Sequence, residues 1–120
     1  MMNRVVPTIK LYDYLIVPIQ IELDDTTVEA MQEQILNEID EKRIKGLIID
    51  VSMVEIIDSY ISYTLTETAA MAKMMGCNTV ICGIQPTVAL TLAQMGVKLK
   101  GVYFAMDLES ALKILESIEE

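Results

Sequence analysis

Leu47-Ile48-Ile49-Asp50-Val51-Ser52-Met53-Val54-Glu55-Ile56-Ile57-Asp58-Ser59-Tyr60-Ile61 decides how this chain is read. Residues 47–51 are continuously apolar apart from Asp50, the pattern of a central strand covered on both faces. A short loop follows, and an Asp-Ser pair then opens a helix. The first N–H groups of a helix lack intrahelical acceptors, and the helix dipole favours negative charge at that end. A serine hydroxyl there is a natural place for a phosphate. Three roles stand open for Ser59: helix cap, nucleophile, or acceptor of a modification. Asp58 beside it reads as the helix cap that presents the serine.

Outward from this stretch, strands and helices alternate. Residues 5–12 and 14–20 are apolar and rich in β-branched side chains, and a tight turn at Asp13 makes them an antiparallel hairpin. Thr26 and Glu29 have capping-box spacing, with Thr26 as cap and Glu29 as the reciprocal acid. Val28, Met31, Ile35 and Ile39 form one apolar stripe, which turns Glu29, Gln32, Glu38 and Glu41 away from the core. Lys42, Arg43 and Lys45 suit the negative end of that helix. Gly46-Leu47, Gly76-Cys77 and Gly96-Val97 each pair a glycine with an apolar residue, the sequence mark of a Schellman helix end.

A second helix is predicted over 59–75, with Ile61, Leu65, Ala69, Ala72 and Met75 inward. A buried strand over 78–83 follows. Pro86 opens a third helix running to Met95, as suits proline at a first helical position. Residues 102–105 form a short strand. Asp107 caps a last helix with Leu108, Ala111, Leu112, Leu115 and Ile118 inward. The order is β-β-α-β-α-β-α-β-α. Right-handed crossovers make the later strands parallel, so the expected fold is α/β: a mixed, mostly parallel sheet with an antiparallel N-terminal hairpin and four helices.

Composition narrows the function. One domain of 120 residues with 52% apolar content supports a core and excludes a disordered chain. No apolar run approaches the roughly 18–20 residues that cross a bilayer. Met1-Met2-Asn3-Arg4 lacks a signal peptide's apolar stretch, so a cytoplasmic protein is expected. A net charge of −9 argues against nucleic acid and anionic membranes as partners, and is able to steer a basic protein partner. The chain has no histidine, the commonest general base and metal ligand. Cys77 and Cys82 bracket a strand at an odd spacing, so they face opposite ways as buried hydrophobes, without a mutual disulfide.

As a nucleophile, Ser59 would need Lys73, another lysine or a carboxylate as its base. Ile57 and Ile61 occupy the glycine positions of a Gly-x-Ser-x-Gly elbow, so that motif is absent. Glu22, Asp24 and Asp25, and separately Asp50, Glu55 and Asp58, lack calcium-loop spacing and read as solvated acidic surface; no metal and no cofactor are expected. Gly83-Ile84-Gln85-Pro86 joins a strand to a helix start. Gly83, Gln85 and Thr87 there make either an anion or ligand turn or a plain helix start. Thr87 reads as a second phosphoacceptor or as an ordinary first-turn threonine. Most of the methionines in helical segments fill core. Met74, Tyr60, Tyr63 and Thr64 cannot all share the inner face of the second helix, which leaves aromatic surface near Ser59. Tyr60, Ile61 and Tyr63 are candidate partner contacts, with Ile61 also a candidate for the core.

The opening β-β, the strand Leu47-Ile48-Ile49-Asp50, the Ile57-Asp58-Ser59 step and the next helix resemble, in that order, a STAS domain, the anti-sigma-factor antagonist fold. Many such antagonists continue Asp-Ser-Ser-Gly-Leu; here Tyr60-Ile61-Ser62-Tyr63 follows, without the glycine. Together with Ala72-Lys73-Met74-Met75-Gly76, Gly83-Ile84-Gln85-Pro86-Thr87-Val88-Ala89 and Thr91-Leu92-Ala93-Gln94-Met95-Gly96, this resembles the stressosome branch and its single-domain scaffold antagonists.

The resemblance covers residues 1–120 as one STAS domain. It implies a non-enzymatic phosphoprotein of bacterial stress signalling, with Ser59 phosphorylated by a serine/threonine switch kinase and reset by a cognate phosphatase. It also implies a large hetero-oligomer with STAS co-antagonists that carry a sensory N-terminal domain. The kinase is held until phosphorylation releases it. The family also contains accessory subunits of membrane transport systems and nucleotide-binding modules, which are the alternatives.

Overall fold

The computed structural model describes residues 4–94 and 101–118. Five strands and four helices occur in the expected order: β1 (Ile9–Leu11), β2 (Tyr14–Pro18), α1 (Asp25–Lys42), β3 (Gly46–Asp50), α2 (Ser59–Met74), β4 (Asn78–Cys82), α3 (Pro86–Gln94), β5 (Val102–Ala105) and α4 (Leu108–Ile118). They form one sheet in the order β1-β2-β3-β4-β5. β1 and β2 are antiparallel, with Leu11 opposite Tyr14; the remaining pairs are parallel. The mixed sheet and its antiparallel edge are as expected.

The period-two alternation of β3 sorts its residues between two cores. Leu47 and Ile49 join Leu15, Val17 and Ile81 under α1 and α2, which contribute Val28, Met31, Ile35, Ile39, Ile61 and Leu65. Ile48 joins Tyr14, Ile16, Val80 and Cys82 under Ala111 and Leu115 of α4. Full burial of a side chain such as Ile48 contributes roughly 1.5–3 kcal/mol. Cys77 lies in the first core and Cys82 in the second, both as free thiols. Burial pushes them up to about 12 and about 11; for Cys82 the Asp50 and Asp107 carboxylates add to the effect.

Several local expectations change. The first strand is shorter than 5–12 because residues 5–8 bond to α1 side chains instead of a neighbouring strand. Gln34 Oε1 accepts the Val5 and Val6 N–H groups at 2.8 and 3.1 Å, and Gln34 Nε2 donates to the Val6 carbonyl at 2.8 Å. Glu38 belongs to the same clamp and is buried rather than turned outward. It accepts from Thr8 Oγ1 at 2.7 Å, Gln34 Nε2 at 2.9 Å and Lys42 Nζ at 2.6 Å. Burial pushes its carboxyl up, but the Lys42, Gln34 and Thr8 hydrogen bonds outweigh that and hold it below the usual carboxylate range.

The cap of α1 is Asp24, not Thr26: its extended backbone directs Oδ1 to the Thr27 N–H at 2.7 Å. That hydrogen bond holds the Asp24 carboxyl below its ordinary value. Gly46 does not end α1. Arg43 takes the left-handed position at φ 53°, and the Ile44 N–H bonds back to the Ile39 carbonyl at 3.0 Å. Gly46 instead opens β3, where a Cβ would meet Leu115 Cδ1 and Tyr14 Cδ1 at 2.8 Å. At Gly76 the expected Schellman end is present: Cys77 N–H bonds to the Ala72 carbonyl at 2.9 Å and Gly76 N–H to that of Lys73 at 3.0 Å. Gly96-Val97 and Met95, like the first three residues, lie outside the described residues.

Met75 is the C-cap of α2 and is exposed, since the helix ends before completing another inward turn. Leu108, the first residue of α4, is exposed too; Ala111 and Leu115 carry the buried stripe, with Leu112 and Ile118 half-buried beside it. β4 ends at Cys82 because Gly83 turns the chain out at φ 75°. Among the described residues no helix is long and apolar enough to cross a membrane.

Candidate functional site

Strand β3 delivers the chain to the loop 51–58, and the loop delivers it to α2. Val54 and Ile57 are buried and pin the loop to the core. Ser52, Met53, Glu55 and Ile56 face outward, Met53 and Ile56 at 72% and 81% exposure. Ser52 N–H donates to Asp50 Oδ1 at 2.9 Å and Val54 N–H to the Val51 carbonyl at 2.9 Å. These bonds fold the loop's first half as a turn.

Asp58 then caps α2 as the sequence predicts. Its Oδ1 accepts the Ile61 N–H at 2.9 Å, and its carbonyl accepts the Ser62 N–H at 3.1 Å and the Ser62 hydroxyl at 3.0 Å. Ser59 is the first residue of the helix. It is exposed, and its hydroxyl makes no hydrogen bond among the described residues. The N–H groups of Ser59 and Tyr60 stand at the open helix end, where they favour an anion. The arrangement offers an alcohol ready to accept an anionic group and a helix end that tolerates it.

The side chains around Ser59 divide. Ile61 is 3% exposed and packs in the core, so the alternation of the helix withdraws it from the candidate contact surface. Tyr60 and Tyr63 remain exposed, at 39% and 56%. The Tyr60 hydroxyl donates to Glu29 of α1, and that bond holds its phenol above the usual range. Thr64 is buried and bonds back to the Tyr60 carbonyl at 2.9 Å. Lys73, the candidate base, lies fourteen positions along α2, roughly 21 Å from Ser59 at helical rise. Its Nζ donates instead to Asn78 Oδ1 at 2.7 Å.

Gly83, Gln85 and Thr87 meet the same loop from the other side. Gln85 Nε2 donates to the Ser52 carbonyl at 2.7 Å, and the Thr87 hydroxyl donates to the Glu55 carbonyl. A Cβ on Gly83 would lie 2.8 Å from Ser52 Cβ. The turn and the Ser59 loop are thus one packed unit, a connection that motif and spacing do not supply. Sequence reasoning also misses Met53 and Ile56, which with residues 20–24 line an open groove of about 530 Å³. Four large apolar residues in so short a loop, Met53, Val54, Ile56 and Ile57, are the available signal, since not all can be buried.

The STAS domain profile matches residues 3–111. RsbT co-antagonist protein RsbRD of Bacillus subtilis (strain 168) is 28% identical over 97 residues, 81% of this chain and 35% of its own length. The chain therefore spans about a third of the length of that relative. Among solved structures, a serine-to-glutamate variant of RsbS from Moorella thermoacetica is 36% identical with a TM-score of 0.84, covering 95% of this chain and 97% of its own. A chain of a stressosome, described as a signal integration and transduction hub, is 33% identical with a TM-score of 0.77, over 95% and 99% of the two chains. A match over most of its residues, and a like-sized RsbS relative above 30% identity, place the chain in the STAS domain family, among its RsbS-like stressosome members.

Proposed function

We propose that this chain is a non-enzymatic, phospho-regulated scaffold of a stressosome-type assembly, with Ser59 as the phosphoacceptor. In its unmodified form it holds a serine/threonine switch kinase together with larger STAS co-antagonists. Phosphate on Ser59 releases the kinase, and a phosphatase resets the site. The exposed hydroxyl at the first position of an Asp-capped helix, unbonded among the described residues, is what supports this most. Phosphoserine carries about −1.5 to −2 charge at neutral pH. Within the domain, the open N–H groups of α2 accommodate it. Across a packed interface the same charge must be desolvated, beside Asp58, with the exposed Tyr60 and Tyr63 in the contact.

The similarity to RsbT co-antagonists of more than twice this length fits a scaffold that co-assembles with chains carrying a further domain. The resemblance to RsbS at nearly equal length fits the smaller member of such an assembly.

Incubation with the partner kinase and ATP should add one phosphate by intact mass, and Ser59→Ala should add none while melting like the wild type. Ser59→Asp should bind the kinase at least ~10-fold more weakly, about 1.4 kcal/mol. Equal kinase binding by Ser59→Asp and the unmodified chain, or a full phosphate on Ser59→Ala, would place the switch elsewhere.

A further inference from the structure

We propose that the β4–α3 turn is a clasp for the phosphoacceptor loop, and that Gln85 and Thr87 are positioning residues for Ser59. The role in phosphate transfer rests on Ser59 being the acceptor; the clasp itself rests on geometry alone.

Within the loop 51–58 the side chains of Val51, Val54 and Ile57 reach the core, and only the last two lie beyond its first residue. The Ser52 and Val54 N–H groups are satisfied locally, by Asp50 Oδ1 and the Val51 carbonyl, while the Ser52 and Glu55 carbonyls find their partners on another element. Gln85 takes the Ser52 carbonyl and Thr87 takes the Glu55 carbonyl, which fixes two peptide planes, one on each side of Val54. Gly83 makes the approach possible. At φ 75° it lies so close to Ser52 that a methyl group would contact Ser52 Cβ, Cα and N at 2.8–3.1 Å. The turn is itself tied down, since Gly83 N–H donates to the Ala105 carbonyl of β5 at 3.2 Å.

These contacts answer what the polar side chains of the turn do. An anion or small ligand seated there would draw on the Gln85 amide and the Thr87 hydroxyl as donors, and the hydroxyl proton and one amide N–H are committed to the loop. Their effect is on placement. Thr87 holds the chain four residues before Ser59. Without it, residues 55–58 pivot about the single buried side chain of Ile57, and the entry into α2 loosens. Phosphoryl transfer depends on in-line placement of the attacking oxygen, and a displacement of about 1 Å is able to cost on the order of 100-fold. Neither Gln85 nor Thr87 needs to touch the donor for this to hold.

The test uses the full chain carrying Thr87→Val, which keeps the shape and loses the donor; Gln85→Met; the double variant; and Thr87→Ser, which keeps the hydroxyl. Amide hydrogen exchange over residues 52–58 is measured with the kinetics of Ser59 phosphorylation by the partner kinase. The expected result is loop exchange about 10-fold faster in the double variant, with melting lowered by less than about 10 °C. Phosphorylation kcat should fall about 10-fold with KM within about 3-fold, because alignment and not docking is lost. Thr87→Ser should restore both readouts; the single variants show the same trend if the double variant does not fold. Unchanged loop exchange in the folded variants overturns the clasp. Faster exchange with unchanged kcat overturns the positioning role, as does Thr87→Ser behaving like Thr87→Val. Should the wild type itself take no phosphate, the acceptor assignment fails, and the exchange data alone uphold or overturn the clasp.

Discussion

Two loops leave the neighbouring parallel strands β2 and β3 at the same end of the sheet, and both end in an aspartate cap. Asp24 Oδ1 accepts the Thr27 N–H at 2.7 Å; Asp58 Oδ1 accepts the Ile61 N–H at 2.9 Å. Up to that point the local chemistry is the same. The next residue is Asp25 in one and Ser59 in the other. The loops also differ in how they are held. Each starts from a bond to the neighbouring strand's last carbonyl, Ile19 N–H to Asp50 and Val51 N–H to Cys82, both at 3.0 Å, but the second is gripped in addition from β4–α3 by Gln85 and Thr87. An aspartate cap makes a helix start. A candidate acceptor site also takes a hydroxyl at the next position and bracing that reaches the loop from elsewhere in the fold.

The bracing breaks most easily at Gly83. Gly83→Ala forces an alanine into the left-handed region, at about 1–2 kcal/mol, and drives its methyl into Ser52, at a further 1–3 kcal/mol or so. Gly76 is the control: its φ is also positive, 82°, but nothing lies within 4 Å of where a methyl group would stand. Gly76→Ala should therefore cost only about 1–2 kcal/mol. Urea midpoints for the two variants measure the difference, and equal losses would mean that the contact with Ser52 carries no energy.

How far this architecture is readable from the residues follows from which forces set each part. β3 and α2 are set by apolar patterning over five and sixteen residues, so their place in the chain is evident from the residues alone. Asp58 and Asp107 are recognisable as caps because capping is local: the Asp107 carboxylate accepts the Ser110 N–H at 2.8 Å, which lowers its proton affinity. Asp24 escapes a sequence reading since Thr26 and Glu29 offer an equally good local pattern, and only the packing of Val28 and Met31 fixes where the helix begins. Gly46 misleads because a glycine demanded by Leu115 and Tyr14, distant in sequence, looks the same as a glycine demanded by a helix end. The Gln85–Ser52 and Thr87–Glu55 bonds span more than thirty residues, and no period or spacing encodes them. Glu38 is invisible for the same reason: its burial depends on Thr8 and Gln34 arriving together.

Glu38 sharpens the contrast between the two helices under acid. It is a carboxylate inside the domain, and its folded form is held below the usual carboxylate range. A carboxyl depressed in the folded state stabilises the fold above its unfolded value, about 4.3, and loses that contribution as the pH falls through the folded value. Glu38→Gln replaces an acceptor of three donors by a group that itself donates, and should cost about 1–3 kcal/mol at pH 7. The gap between wild type and variant should narrow below about pH 4. Hydrogen exchange should quicken in α1 and in residues 5–8 before it does in α2. A gap that stays constant from pH 7 to pH 3 would show that the carboxylate charge contributes nothing there.

The smallest effects separate capping from presentation. Replacing an aspartate cap by alanine typically costs about 1 kcal/mol, or roughly 4 °C in a domain of this size. Asp24→Ala and Asp58→Ala should therefore be nearly alike in melting. They should differ at Ser59. Asp58→Ala frees the first turn of α2 where the hydroxyl stands, and should slow phosphate transfer several-fold, whereas Asp24→Ala frees the first turn of α1 instead and should leave the rate nearly unchanged. Asp58→Asn keeps the acceptor for the Ile61 N–H and removes the charge. If Asn restores the rate, Asp58 acts through geometry alone. If Asn is as slow as Ala, the carboxylate itself is read by whatever brings the phosphate, and the aspartate is part of the recognised surface as well as of the helix end.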